Sequence, residues 1–206
     1  DLWQKGFLYL LFAKRADGKY ACGSGGGGTV QLQADRQDVH GRHRDVHPVR
    51  GRAGHIGHLD RAPHAHLRRD VADMCDLTRN PKLSRYVRNV RRANGQQEIR
   101  FANGSRIMFG ARENGFGRGL HSADIEVFDE AQILTIKALD NLIPIVNTSP
   151  NPLIVFMGNP PKPGDQCEAF EEKRSTALSG KSDDMLYVEL GADRDCDPDD
   201  RNAWAK

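Results

Sequence analysis

The chain has 206 residues, 38% of them hydrophobic and 28% charged, with a formal net charge of +2. That is enough apolar mass for one core, on the polar side of globular composition. It lacks the run of roughly 18 to 20 apolar residues that a membrane-spanning helix needs, and its global charge does not announce a nucleic-acid binder. Cys22, Cys75, Cys167 and Cys196 are widely spaced without a Cys-x-x-Cys, which argues against a disulfide scaffold or a zinc ribbon. The opening Asp1-Leu2-Trp3-Gln4-Lys5 carries neither an initiator Met nor a signal-peptide pattern, and reads as a cut within a longer soluble, intracellular protein.

Residues 3–13 carry apolar side chains at helical spacing and predict a helix, followed by a turn at Asp17-Gly18. Gly23-Ser24-Gly25-Gly26-Gly27-Gly28 has the composition of a linker. Residues 29–70 then change character. They hold seven of the eight histidines and eight arginines, but no Lys, Glu, Phe, Tyr or Trp. Ordinary periodicity returns after them. Residues 98–102 and 105–109 alternate on either side of Asn103-Gly104, a strong signal for a hairpin with both central residues at positive φ. Residues 125–128 predict a short strand ending at Asp129-Glu130. Residues 131–146 predict one helix with Leu134, Ala138, Leu139 and Leu142 on a face, broken by Pro144. Residues 153–157 are wholly apolar, as a buried parallel strand should be, and stop at Gly158-Asn159-Pro160-Pro161. A helix over 166–178 and a strand over 185–190 follow, then an acidic tail over 193–200 with the look of an exit linker. No internal repeat or heptad is present. Strands alternating with helices predict an α/β fold on a mostly parallel sheet.

Two strand ends carry the candidate chemistry. An apolar strand ending in Asp129-Glu130 puts two carboxylates at the C-terminal edge of a parallel sheet, where α/β proteins bind ligands. A Walker B motif has this form: the Asp organises Mg²⁺ through its water shell and the Glu polarises the attacking water. The alternative is a surface acid pair opening a helix, favoured by the helix dipole. Asn159, just past the next buried strand, stands where such ATPases place a γ-phosphate sensor; its alternative role is a turn former before Pro160.

These residues resemble the large terminase subunits of tailed double-stranded DNA bacteriophages, of the actinobacterial-phage type. The likeness rests on Ala93-Asn94-Gly95-Gln96-Gln97-Glu98-Ile99, Phe101-Ala102-Asn103-Gly104-Ser105-Arg106-Ile107, Gly115-Phe116-Gly117-Arg118-Gly119 and Val127-Phe128-Asp129-Glu130-Ala131-Gln132, with Trp3-Gln4 upstream. The resemblance implies a three-layer P-loop NTPase of the ASCE, RecA-like kind over residues 1–190, its N-terminal part disrupted. It implies ATP and Mg²⁺ as cofactors, with Asp129 organising the metal and Glu130 as catalytic base. Gln4 would contact adenine, Asn159 would couple hydrolysis to movement, and Arg118 would be a trans-acting finger. The implied partners are double-stranded DNA, the portal protein, the small terminase subunit and further copies in a homo-oligomeric ring, without a membrane. The implied place is the host cytoplasm, at the procapsid portal. Residues 191–206 would lead toward a nuclease domain that the chain does not include. Two rival functions remain: a non-enzymatic remnant, or a helicase-like ATPase outside packaging.

The departure is the phosphate cradle. A P-loop ends in Gly-Lys-Thr or Gly-Lys-Ser, its amides and lysine holding the phosphates. This chain has no lysine between Lys19 and Lys82. Residues 29–70 are therefore read, as a hypothesis, as the cradle region translated out of frame, leaving a poorly ordered stretch and a gap in the sheet. Asp35-Arg36-Gln37-Asp38-Val39-His40 can be encoded GAC AGG CAA GAC GTT CAC. Preceded by CAGGCA and read one base later, that DNA spells Arg-Gln-Thr-Gly-Lys-Thr-Phe-Thr, so Arg36, Gln37 and Asp38 mark the degenerate P-loop. Residues 57–70 similarly yield Val-Thr-Trp-Thr-Ala-His-Arg-Thr-Arg-Thr-Ser-Asp-Glu, like the family's next strand. Alternatively the histidines form a metal cluster, although their spacings are irregular, or the arginines form a nucleic-acid loop, although no aromatic is there to stack.

Overall fold

A computed structural model describes residues 2–22, 29–34, 56–61, 64–93, 95–111, 120 and 123–190. Among them, eight strands form one sheet: β1 (Thr29–Ala34), β2 (Ile56–Arg61), β3 (Val87–Arg91), β4 (Gln97–Phe101), β5 (Arg106–Gly110), β6 (Ile125–Asp129), β7 (Leu153–Gly158) and β8 (Leu186–Leu190). Their order is β3-β4-β5-β2-β6-β7-β1-β8. From β5 to β8 every neighbouring pair is parallel, while β4 is antiparallel to both β3 and β5. The described α-helices are α1 (Leu2–Leu11), α2 (His64–Leu77), α3 (Pro81–Ser84), α4 (Ile136–Leu142) and α5 (Glu168–Leu178).

Alternation along β7 shows why this strand is apolar throughout. Ile154 and Phe156 enter a cluster with Phe128, Leu134, Leu142 and Phe170 on one face, where the rings of Phe128 and Phe156 lie 5.0 Å apart. Leu153 and Val155 face the other way, into a cluster with Leu11, Tyr20 and Cys22. A strand covered on both faces has no polar side to present. A third cluster joins Val71 and Cys75 of α2 to Ile99 and Phe109 of the hairpin.

Four expectations need correction. The helix over 131–146 divides into a 3-10 turn (Ala131–Ile133), an extended Leu134, α4, and a second 3-10 turn (Ile143–Ile145) holding Pro144. Thr135 causes the restart: in extended conformation, its hydroxyl accepts the Ala138 N–H at 3.2 Å and caps α4. Leu134 and Leu142 still reach the same cluster. The β4–β5 turn has only Gly104 at positive φ (86°). Phe101 N–H donates to Ser105 C=O, and Asn103 Oδ1 accepts the Ser105 N–H at 3.0 Å, giving a three-residue loop instead of a two-residue one. The expected gap in the sheet is absent: β1 lies between β7 and β8, and β2 between β5 and β6. Thr-Val-Gln-Leu-Gln-Ala still alternates, and two parallel neighbours offer ladder partners to any backbone that can extend. Likewise α2 begins inside the anomalous stretch, at His64. The glycine run, residues 35–55 and the tail from 191 lie outside the described residues.

Candidate active site

β6 delivers Asp129 to the C-terminal edge of the parallel strands, and the chain turns there at once. Asp129 Oδ1 accepts the N–H of Glu130 at 2.9 Å. Glu130 takes left-handed backbone angles (φ 54°, ψ 43°), the one non-glycine residue at positive φ among those described. Such a conformation costs a residue with a Cβ on the order of 1 kcal/mol and persists only where the surroundings fix it. Here the surroundings are identifiable. Ala131 and Gln132 are buried in the following turn, and the Ile133 N–H donates to the Glu130 carbonyl.

Gln132 links the two strand ends. Its Nε2 donates to Glu130 Oε2 at 2.7 Å, and its Oε1 accepts the backbone N–H of Asn159, just past β7, at 3.2 Å. The contact needs Gly158. A Cβ built there would stand 2.6 Å from Gln132 Oε1, 3.0 Å from Phe170 Cζ and 3.2 Å from the Gln132 nitrogen. So Asp129, Glu130 and Asn159 are brought together through a residue that sequence reasoning quoted but gave no role. One signal could have found it: a glycine closing an otherwise fully apolar strand marks a close approach. Glu126, fully buried on the same strand, was also missed. Burial pushes its carboxyl up to about 8. It lies on the opposite face of β6 from Asp129 by strand alternation.

Gln4 falls within α1, but its side chain lies outside the described residues, as do Arg36, Gln37, Asp38 and Arg118. The carboxylates of Asp129 and Glu130 are hard oxygen donors, the type that suits a divalent cation such as Mg²⁺. Among the described residues no three His, Cys, Asp or Glu side chains gather as a direct metal cage, so a cation held here would keep waters or ligand oxygens in its shell. The phosphate side does not fit: with no lysine between Lys19 and Lys82, the sequence after β1 supplies no P-loop lysine. No described helix is long and apolar enough to cross a membrane.

Fold and site together define an α/β protein with an acidic C-terminal edge on a mostly parallel sheet. No family model matches the chain, and no curated protein matches its sequence. Its fold is nevertheless found in phage large terminases. The large terminase of bacteriophage HK97 matches with a TM-score of 0.75 at 13% identity, over 99% of this chain and 42% of that one. The large terminase of a thermophilic bacteriophage matches with a TM-score of 0.52 at 14% identity, over 78% of this chain and 39% of that one. The chain thus spans less than half the length of these solved terminases.

Proposed function

We propose that this chain is a fragment of a phage DNA-packaging motor of the actinobacterial-phage type, whose phosphate cradle is written out of frame. The observation that carries the reading is the tie from Glu130 through Gln132 to Asn159, at the edge where a parallel sheet binds ligands. The order β8-β1-β7-β6-β2 sets one strand between β1 and the acid-ended β6. That supports the ASCE, RecA-like arrangement, in which residues 35–40 after β1 would be the cradle.

In this reading Asp129 holds the water shell of a Mg²⁺ ion and Glu130 accepts a proton from the attacking water. ATP bound with Mg²⁺ would supply the phosphoryl group and the energy for movement. Gln132 keeps the Glu130 carboxylate pointed back along the turn, so a change at Asn159 reaches the base through one side chain. Gln4 and Arg118 are assigned the adenine contact and the finger by family likeness alone. Double-stranded DNA, the portal, the small subunit and a ring of copies, working in the host cytoplasm at the procapsid, complete the proposal. The chain as written is inactive because the P-loop lysine is missing, and that same absence favours a second reading, a non-enzymatic remnant.

Resequencing the coding DNA from the Thr29 codon to the Cys75 codon tests both. A shifted frame spelling Gly-Lys-Thr identifies a damaged copy of a motor gene. A meaningless shifted frame removes the out-of-frame hypothesis and makes the His/Arg stretch genuine protein. A nuclease encoded downstream in the parent gene separates packaging from a helicase-like ATPase.

A further inference from the structure

We infer that the hollow over the β3–β4 end of the sheet is a binding site for a free guanine nucleotide, separate from the acidic edge at Asp129. Residues 89–93 with Glu98 and Arg100 line an open space of about 540 Å³, within the roughly 300–1,000 Å³ of small-molecule sites. Register sets Asn89 opposite Arg100 and Arg91 opposite Glu98, and cross-strand partners share a face of the sheet. The floor is thus a square of one amide, one carboxylate and two guanidinium groups. On the other face Val90 and Ile99 pack into the cluster with α2, so the two strands are held from behind. β4 lies three strands from β6, which ends in Asp129.

Glu98 is the positioning residue of this square. It is 5% exposed, and its Oε2 accepts from Arg100 Nε at 2.9 Å. Arg106 Nη1 stands 3.5 Å from its Oε1. The carboxylate is thereby committed to two guanidinium groups, neither of them Arg91, its partner across the strands. The bond at Nε fixes the plane of Arg100. It leaves Nη1 and Nη2, an end-on pair of donors, without a carboxylate among the described residues. Two fixed donors match two adjacent acceptors, and the O6 and N7 of guanine are such a pair, whereas adenine puts an amino donor in the place of O6. Asn89, exposed and level with Arg100, offers an amide beside the same base. Arg91 and Arg92 are also exposed, and no carboxylate among the described residues pairs with them. Three arginines against one carboxylate leave the lining two positive charges, which the phosphates of a nucleoside diphosphate answer.

This site does not rest on the packaging reading. Calorimetric titration of the full chain with GDP, ADP and inorganic pyrophosphate, at low salt and in EDTA, tests it. GDP is expected to bind roughly 10- to 100-fold more tightly than ADP, the scale of one bidentate base contact, and more tightly than pyrophosphate. Arg100→Lys keeps the charge but loses the fork, so its GDP affinity should fall to that of ADP. Glu98→Gln frees the Arg100 plane and should shrink the preference for GDP while pyrophosphate affinity stays. Arg91→Ala/Arg92→Ala should weaken GDP and ADP alike and leave their ratio unchanged. Thermal melts matching the parent's establish that the variants fold, and the exposed arginine variants carry the test if Glu98→Gln does not. No GDP binding by the parent, equal affinity for GDP and ADP, or an Arg100→Lys chain that still prefers GDP overturns the inference. Pyrophosphate binding as tightly as GDP also overturns it, since the base is then not read. So does GDP binding that appears only with Mg²⁺, which assigns the nucleotide to Asp129 and Glu130. The packaging reading fails separately, through the shifted frame.

Discussion

The side-chain amide of Gln132 donates to the Glu130 carboxylate at 2.7 Å. With its other end Gln132 accepts the N–H of Asn159, 27 residues further on, so one 7%-exposed side chain joins the ends of β6 and β7. Replacing it by Leu keeps the approximate volume and removes both bonds. A buried donor left unsatisfied costs about 1–3 kcal/mol, and 1 kcal/mol lowers Tm by roughly 2–4 °C in a domain of this size. Gln132→Leu should therefore melt several degrees below the parent in a reversible thermal scan. An unchanged Tm would show that the tie contributes nothing.

Gly158→Ala tests the same contact from the other side. The new methyl meets Gln132 Oε1 at 2.6 Å and the Phe170 ring at 3.0 Å. The amide can move, but the ring is held in the core, so overpacking should cost about 1–3 kcal/mol. If the clash acts through Gln132, Gly158→Ala and Gln132→Ala together should destabilise less than the sum of the two, measured by urea unfolding as a double-mutant cycle. Strict additivity would place the cost at Phe170 alone.

Elements set by a pattern within a few residues were legible in the sequence. The apolar run of β7, the alternation of β4 and β5, and the acid-ended β6 could be read directly, because strand burial writes itself into local periodicity. The restart at Thr135 was not: a capping hydroxyl and a helix interior look alike until the backbone extends. β1 and β2 were hidden because their place in the sheet depends on neighbours far along the chain. Gln132 was hidden for the same reason, its partner being at the end of another strand.

Glu126 makes a prediction about pH. Desolvation raises its carboxyl from 4.5 to about 8 in the folded chain. The folded state therefore keeps a proton that the unfolded chain releases above 4.5, and stability from this group is full below that pH. It declines as pH rises toward about 8 and levels off beyond. The total loss is on the order of a few kcal/mol. Glu126→Gln, neutral at every pH, should flatten that decline. Urea unfolding followed across the window checks it, and a parent curve that is flat there, or a variant that falls as steeply, would contradict the assignment.

The last prediction concerns the missing cradle. Asp129 and Glu130 can attract a hydrated cation, but phosphate oxygens need fixed amides and a lysine to offset their charge, and the chain provides no lysine from position 20 to 81. Calorimetric titration of the chain as written with ATP and Mg²⁺ should give no measurable binding; tight Mg²⁺-dependent binding would falsify the out-of-frame reading of the cradle. A chain recoded to carry Arg-Gln-Thr-Gly-Lys-Thr-Phe-Thr after β1, with the following shifted stretch restored, should gain both binding and hydrolysis. Within that restored chain, Glu130→Gln should keep nucleotide affinity while lowering hydrolysis about 10²- to 10⁴-fold, the scale of a lost general base. Gln132→Leu should lower hydrolysis with little change in affinity, because it disturbs the base and the Asn159 end together. If Glu130→Gln hydrolyses as fast as its parent, the base lies elsewhere, and the left-handed turn at Glu130 serves only to close β6.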